Sequence, residues 1–338
     1  MAEARIHGGP DELGMPRHDF STNSNACGSC PAALIAVQSA DPARYPDPAY
    51  RALREALARW HGVEPARVLL AGSASEFIFR VSALAAQLVR EAGSGRAARV
   101  SLPAHGYGDY AQAARSWGLE PAPAAAADLA WACDPSSPLG QPHPDLAAQA
   151  RALQPGQMLV LDCAYRPLRL QGRLGLDQAG LDRVWQLWTP NKALGLTGVR
   201  AAYALAPRGA EFLVERLQAL TPSWPVGAHG VAMLQAWTTP AVQDWLTASL
   251  QQLRSWKIRQ VALCHELGWQ VESSVANFFI ARPDSAALAQ DLARLRARDI
   301  KLRDAASFGL DGRVRLGVLA PESQDALARA WQAIRRTS

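Results

Sequence analysis

The sequence predicts an α/β protein. A large domain with a mixed, mostly parallel sheet flanked by helices is expected, followed by a small α/β C-terminal domain. Three observations predict it. Short apolar, strand-like runs alternate with helical-period segments from about residue 67 to residue 206. The pattern becomes helix-dominated after Gly209, with one long amphipathic stretch over 241–267. Beyond Asn277 short α and β segments alternate again. Hydrophobic residues are 49% and charged residues 19% of 338, which allows a core of this size and excludes wholesale disorder. That length admits one large domain and a smaller one. We expect an arm with part of the small domain over 1–44, the large domain over 45–225 and the small domain over 226–338.

The opening, through about Ser29, has poor periodicity and many Gly, Asn, Ser and Pro residues, and reads as an extended arm. Apolar positions fall at helical spacing over 50–60, and His61-Gly62 stops that helix. Strands are expected at 67–71, 99–102, 129–133, 157–162, 184–189 and 201–206. Helices fit between them at 74–90, 107–117 and 145–153. Such alternation implies parallel strands joined by helical crossovers on both faces. The segments 277–282, 285–298, 300–303, 314–318 and 323–335 read as a small α/β layer.

The formal net charge is +5 and the calculated pI is about 9.1. The arginines are dispersed, and the densest patch, Arg294, Arg296 and Arg298, alternates with other residues as a helix face does. With no polybasic tail and no aromatic-basic repeat, nucleic acid is not the expected partner, and small anionic ligands are. The longest uncharged stretch, 217–243, contains Pro222, Pro225, Pro240 and His229, so no membrane span is expected. Residues 1–11 carry acids and lack the apolar run of a signal peptide. Five cysteines, an odd count, suit reduced thiols in the cytoplasm. Cys27-Gly28-Ser29-Cys30 is open to reading as a zinc half-site, a redox pair or an echo of a papain-type signature, although no second C-x-x-C follows. Seven histidines show no metal-binding spacing, and no metal is expected.

Ligands of open parallel sheets bind beyond the carboxyl ends of the strands. There, 67–71 runs into Gly72-Ser73-Ala74-Ser75-Glu76, a small-residue turn opening a helix. Its free N–H groups suit a phosphate, and a plain Ser73 helix cap is the alternative. The strand at 157–162 ends in Asp162, which is either a cap or a ligand carboxylate. The strand at 184–189 leads to Lys192, with Arg200 close behind. Lysine occurs only at Lys192, Lys257 and Lys301, and the latter two read as solvated or snorkelling side chains. A phosphate cradle, a strand-end aspartate and a strand-end lysine are together what pyridoxal phosphate needs.

Order and spacing of these motifs resemble the fold-type-I pyridoxal-phosphate enzymes of aminotransferase class I/II. The resemblance is to the group holding histidinol-phosphate aminotransferases and the cobalamin-pathway threonine-phosphate decarboxylase. His7-Gly8-Gly9 and the D-F-S-x-N-x-N run at 19–25 resemble the decarboxylase arm. Tyr45-Pro46-Asp47-Pro48 is similar to the segment whose tyrosine reaches the cofactor phosphate of a neighbouring subunit. The resemblance implies Ser73, Ala74 and Ser75 on the phosphate, with Thr189 and Arg200. It implies Tyr107 stacking on the cofactor ring, Asp162 on the pyridinium nitrogen and Tyr165 near the ring hydroxyl. Lys192 would hold the cofactor, and Lys192, Asp162 and Tyr107 would form the catalytic set. Arg315, Arg303, Asn25 and His7 would face substrate. Three residues depart from the family pattern: Ser137 stands for an asparagine, Asn191 for a hydroxyl residue and Cys163 for a glutamate. The implied protein is a homodimer with shared sites, acting on a small phosphorylated amino acid or amine. Threonine-phosphate decarboxylation is expected first and histidinol-phosphate-type transamination second. The third reading is a catalytically silent dimeric binding protein.

Overall fold

A computed structural model describes residues 8–336 of the chain. In chain order, β1 (His18–Asp19), α1 (Pro31–Gln38) and α2 (Arg51–His61) come first. Then follow β2 (Val68–Ala71), α3 (Ala74–Glu91), β3 (Arg99–Ser101), α4 (Gly108–Ser116), β4 (Glu120–Pro121) and β5 (Leu129–Cys133). Next are α5 (Leu146–Ala152), β6 (Met158–Asp162), α6 (Gln178–Leu181), β7 (Trp185–Trp188) and β8 (Ala202–Leu205). After α7 (Glu211–Ala219), α8 (Ala228–Trp237) and α9 (Pro240–Glu266) come β9 (Gln270–Val271), β10 (Phe278–Arg282) and α10 (Leu288–Arg296). The chain closes with β11 (Ile300–Lys301), β12 (Arg303–Asp304), β13 (Val314–Gly317) and α11 (Pro321–Arg336).

Seven strands form one sheet in the order β2-β8-β7-β6-β5-β3-β4. All run parallel except β8, which is antiparallel to both β2 and β7. The carboxyl ends of β2, β3, β5, β6 and β7 therefore share one edge. Every residue of β5, β6 and β7 is buried, as expected of strands covered on both faces. Alternation along β6 shows the two layers: Leu159 and Leu161 join the core that holds α1, α2 and α8, while Met158 and Val160 join the core under α3 and α4. A second, antiparallel sheet has the order β12-β13-β10-β9, and β1 pairs in parallel with β11. That last pairing stitches the N-terminal segment to the C-terminal layer.

The strands and helices expected between 67 and 206 stand within one residue of where the sequence puts them. Of the features that differ, three bear on the surroundings of the site. Helix α1 lies in a stretch to which no element is assigned by periodicity; Pro31 starts it, and its apolar side packs on the core. The single segment expected at 300–303 divides at Leu302 into β11 and β12, which belong to different sheets. Lys257 is not a solvated side chain: it is buried on α9 and donates to the carbonyls of Ser274 and Ala276. With these two acceptors, the ammonium caps the 274–276 turn. Burial pushes its pKa down to about 8. Among the described residues all five cysteines are free, and no helix is long and apolar enough to cross a membrane.

Candidate active site

Loops leaving the shared edge of the large sheet meet the antiparallel sheet around a cavity of about 1010 Å³. Lys192 enters it from the turn after β7, with its Nζ 5.5 Å from the centroid of the Tyr165 ring. The turn is braced residue by residue. Asn25 N–H donates to the Lys192 carbonyl at 2.9 Å and Cys30 N–H to that of Leu194 at 2.9 Å. Asn25 Nδ2 donates to Ala193 O at 3.0 Å, and Ser29 Oγ to Gly195 O at 3.0 Å. Four consecutive carbonyls are thus held by residues 25–30. Gly195, at φ +65°, has to be glycine, since a Cβ there would lie 2.2 Å from the Gly28 carbonyl oxygen. The Cys27–Cys30 segment is therefore a support of the Lys192 turn.

Asp162 closes β6 at the cavity floor and is buried. Its Oδ2 accepts from the Tyr110 hydroxyl at 2.5 Å and its Oδ1 from Ala164 N–H at 2.8 Å. Tyr110 is fixed by stacking on Trp131, with ring centroids 4.5 Å apart. Burial pushes the Asp162 carboxyl above its usual pKa, while the Tyr110 and Ala164 donors and the Lys192 ammonium pull it down. Any cation seated against it favours the carboxylate.

Beside the floor lies an anion cradle. Ser73 caps α3, its Oγ accepting from Glu76 N–H at 3.1 Å. The amides of Ala74 and Ser75 then fall in the first turn, where no intrahelical acceptor exists. Across from them, Thr189 Oγ1 and Asn191 Oδ1 are buried without a hydrogen-bond partner. Arg200 lines the same space, and Ser75 Oγ lies 3.2 Å from the Tyr107 hydroxyl. Tyr107 itself forms part of the wall, edge-on to Tyr110.

The antiparallel sheet supplies the facing wall. Arg303 and Arg315 are directly opposite one another across β12 and β13, and both are buried. Arg315 Nη2 donates to the Ser21 carbonyl at 2.9 Å and Nη1 reaches Ser137 Oγ at 3.5 Å, while its Nε is buried without a partner. Arg303 Nη2 donates to Ser307 Oγ at 2.7 Å. Phe308 lies under both guanidinium groups, at 4.8 and 5.6 Å. Burial, and then Arg315 beside it, lowers the Arg303 pKa to about 10, and burial also lowers that of Arg315. Of this pair, Arg315 Nε is the buried donor left open to an anion.

The residues singled out in the sequence distribute unevenly. Ser73, Ala74, Ser75, Tyr107, Ser137, Asp162, Tyr165, Thr189, Lys192, Arg200, Arg303 and Arg315 all line the one cavity. Asn25 lines it too, yet its side chain is engaged with Ala193, Ser249 and Cys27, so it acts as a brace. Tyr45 lies outside the cavity, 78% exposed and stacked on Trp224 at 4.4 Å. His7 lies outside the described residues. Sequence reasoning missed Tyr110 and Phe308, and it placed Ser21 and Asn23 in the arm motif without giving them a role in the site. Asn23 is buried and donates from Nδ2 to the Tyr165 hydroxyl at 3.4 Å, with its Oδ1 unpartnered. Tyr110 carried one signal, its place one helical turn after Tyr107, which does not distinguish a site residue from a core one.

Residues 118–334 match the family model for aminotransferase class I and II. The chain belongs to that family. Among its relatives are the histidinol-phosphate aminotransferases of Jannaschia sp., 27% identical over 98% of this chain and 93% of that protein, and of Ruegeria pomeroyi, 28% identical over 88% and 86%. Its fold is that of the type-I pyridoxal-phosphate enzymes. The histidinol-phosphate aminotransferase of Sinorhizobium meliloti, solved in complex with pyridoxal 5'-phosphate, superposes with TM-score 0.78 at 22% identity, covering 94% of this aminotransferase-family chain and 90% of that one. The L-threonine-O-3-phosphate decarboxylase of Porphyromonas gingivalis superposes with TM-score 0.74 at 20% identity over 94% and 99%.

Proposed function

We propose that this chain is a pyridoxal-phosphate enzyme for a small amino-acid phosphate, and that threonine phosphate decarboxylation is its reaction. The residues present fit the cofactor. Unpartnered Thr189 Oγ1 and the first-turn amides of α3, with Arg200, suit its phosphate. Buried Asp162 suits a cationic ring nitrogen, and Lys192 supplies an amine for covalent attachment. Bound pyridoxal phosphate supplies an electron sink for a bond broken at the substrate α-carbon. Lys192 Nζ then takes or returns the proton at that carbon. Tyr110 and Ala164 hold the Asp162 carboxylate in place, so it needs no reorganisation when the ring charge changes.

The observation that carries the substrate reading is the Arg303–Arg315 pair. Two guanidinium groups facing one cavity match a substrate with two anionic groups, a carboxylate and a phosphate. Arg315 Nε, buried without a partner, is the donor such an anion would satisfy. The His7-Gly8-Gly9 arm and the decarboxylase neighbour favour loss of carbon dioxide; the curated relatives at 27–28% identity favour transamination as the second reading. With O-phospho-L-threonine alone we expect carbon dioxide and an aminopropanol phosphate, with no 2-oxo acid needed. A reaction that releases no carbon dioxide and stalls until 2-oxoglutarate is added sinks the decarboxylase reading, and L-histidinol phosphate becomes the substrate to try. Cofactor binding without turnover of either compound supports the silent binding protein.

Tyr45 enters the proposal as a residue offered to a second copy. It is exposed, rigidified by Trp224, and remote from its own cavity. Co-expressing Lys192→Ala and Tyr45→Phe chains should give heterodimers with one intact site and measurable activity, where each variant alone is strongly impaired. A fully active monomer in sedimentation contradicts this.

A further inference from the structure

The N-terminal segment 8–15 forms part of the cavity wall through Gly8, Gly9, Pro10 and Met15, just ahead of the 19–26 run that also lines it. It has little apolar anchorage of its own, since Leu13 and Met15 are 65% and 67% exposed. What holds it is charge. Asp11 receives a bidentate contact from Arg296, Nε to Oδ2 at 2.9 Å and Nη2 to Oδ1 at 2.8 Å. Lys301 Nζ lies 2.9 Å from Asp11 Oδ2 and donates to the Gly9 carbonyl at 2.7 Å. Arg296 Nη2 also donates to Gly14 O at 2.9 Å. Lys301, expected from the sequence to be solvated, is thus a partly buried clasp residue. The Arg296 and Lys301 hydrogen bonds hold the Asp11 carboxyl well below the usual carboxylate range.

The clasp connects to the substrate wall by short steps. Gly9 N–H donates to Ser21 Oγ at 2.9 Å, and the Ser21 carbonyl accepts from Arg315 Nη2 at 2.9 Å. Gly8 packs so closely on this residue that a Cβ would sit 2.2 Å from Ser21 O. We propose that Asp11, Arg296 and Lys301 form an electrostatic clasp that fastens the N-terminal segment over the cavity and so positions Ser21 and Arg315 for the anionic substrate. These are positioning residues, since none of the three charged groups is part of the cavity lining. With these side chains 10–28% exposed, salt screens the clasp only in part and loosens the fastening rather than releasing it.

The substrate half of this inference rests on the proposed function, whereas the clasp does not, and the experiment separates them. Cofactor-loaded wild type, Asp11→Asn, Lys301→Met and Lys301→Arg are exposed to trypsin, and cleavage after Arg17 is timed by mass spectrometry. Affinity for O-phospho-L-threonine and for the cofactor is measured on the same samples. We expect cleavage about tenfold faster in Asp11→Asn and Lys301→Met, with protection restored in Lys301→Arg and weakened in wild type by 0.5 M salt. Phosphothreonine affinity should fall about tenfold in the same two variants while cofactor affinity holds. Equal cleavage in all four proteins overturns the clasp, and cofactor affinity falling as far as substrate affinity overturns the positioning role. If phosphothreonine binds none of them while cleavage follows the expected order, the clasp stands and the substrate reading is what fails.

Discussion

Lys192→Ala should remove covalent attachment of the cofactor altogether and cut turnover by about 10⁴-fold or more, because one side chain supplies both the anchoring amine and the proton carrier. Borohydride reduction of the loaded wild type should fix the cofactor to the peptide carrying Lys192, and reduction of the variant should fix none. The fold should be indifferent to the change. The backbone of the 192–195 turn is held by Asn25, Ser29 and Cys30 through its carbonyls, which an alanine keeps. Unfolding temperatures of the cofactor-free proteins should agree. Label on Lys257 or Lys301 would end the site assignment; Lys257 is buried on its two acceptors in the 274–276 turn and does not line the cavity.

Asp162→Asn should separate function from stability in opposite directions. Its amide keeps the local contacts, accepting from Ala164 N–H and donating to the Tyr110 oxygen. Since the Asp162 pKa is raised on folding, its contribution is most favourable below the ordinary value of 3.8 and is lost as pH rises toward the folded value. At pH 7 the cofactor-free variant should therefore be at least as stable as wild type in thermal unfolding. Turnover of the loaded variant should fall about 10²–10⁴-fold, because a neutral amide does not hold the ring nitrogen protonated. Near-normal single-turnover rates would reassign Asp162 to the simple role of a strand-end cap. A large loss of stability without cofactor would argue the same way.

The site was legible where chemistry coincides with a local signal. Gly72–Glu76 announces a helix start by its small residues, and the end of each buried strand is marked where an apolar run breaks, at Asp162 and Thr189. With three lysines in the chain, only Lys192 stood at such a break. The Tyr110–Asp162 bond spans 52 positions and joins a helix to a strand, and no period in the sequence encodes it. Ser137, by contrast, was named from a motif, but its contact with Arg315 depends on the meeting of two sheets.

By itself the sequence determined the strand and helix segments between 67 and 206, the edge of the sheet at which the cavity lies, and which lysine lines it. These follow from side-chain period and from turn chemistry, which act over a few residues. Only the tertiary structure decided that β8 runs against its neighbours, that Arg303 and Arg315 stand side by side, and that Lys257 is buried and Lys301 clasped. Direction, cross-strand register and the partner of a charged side chain are set by packing between segments as far as 305 positions apart, as in the Arg17–Glu322 pair, with the Lys301–Gly9 bond at 292. A long flexible lysine or arginine has the same local signature whether it ends in water or in a buried ion pair, so its fate is settled by what the fold brings to it.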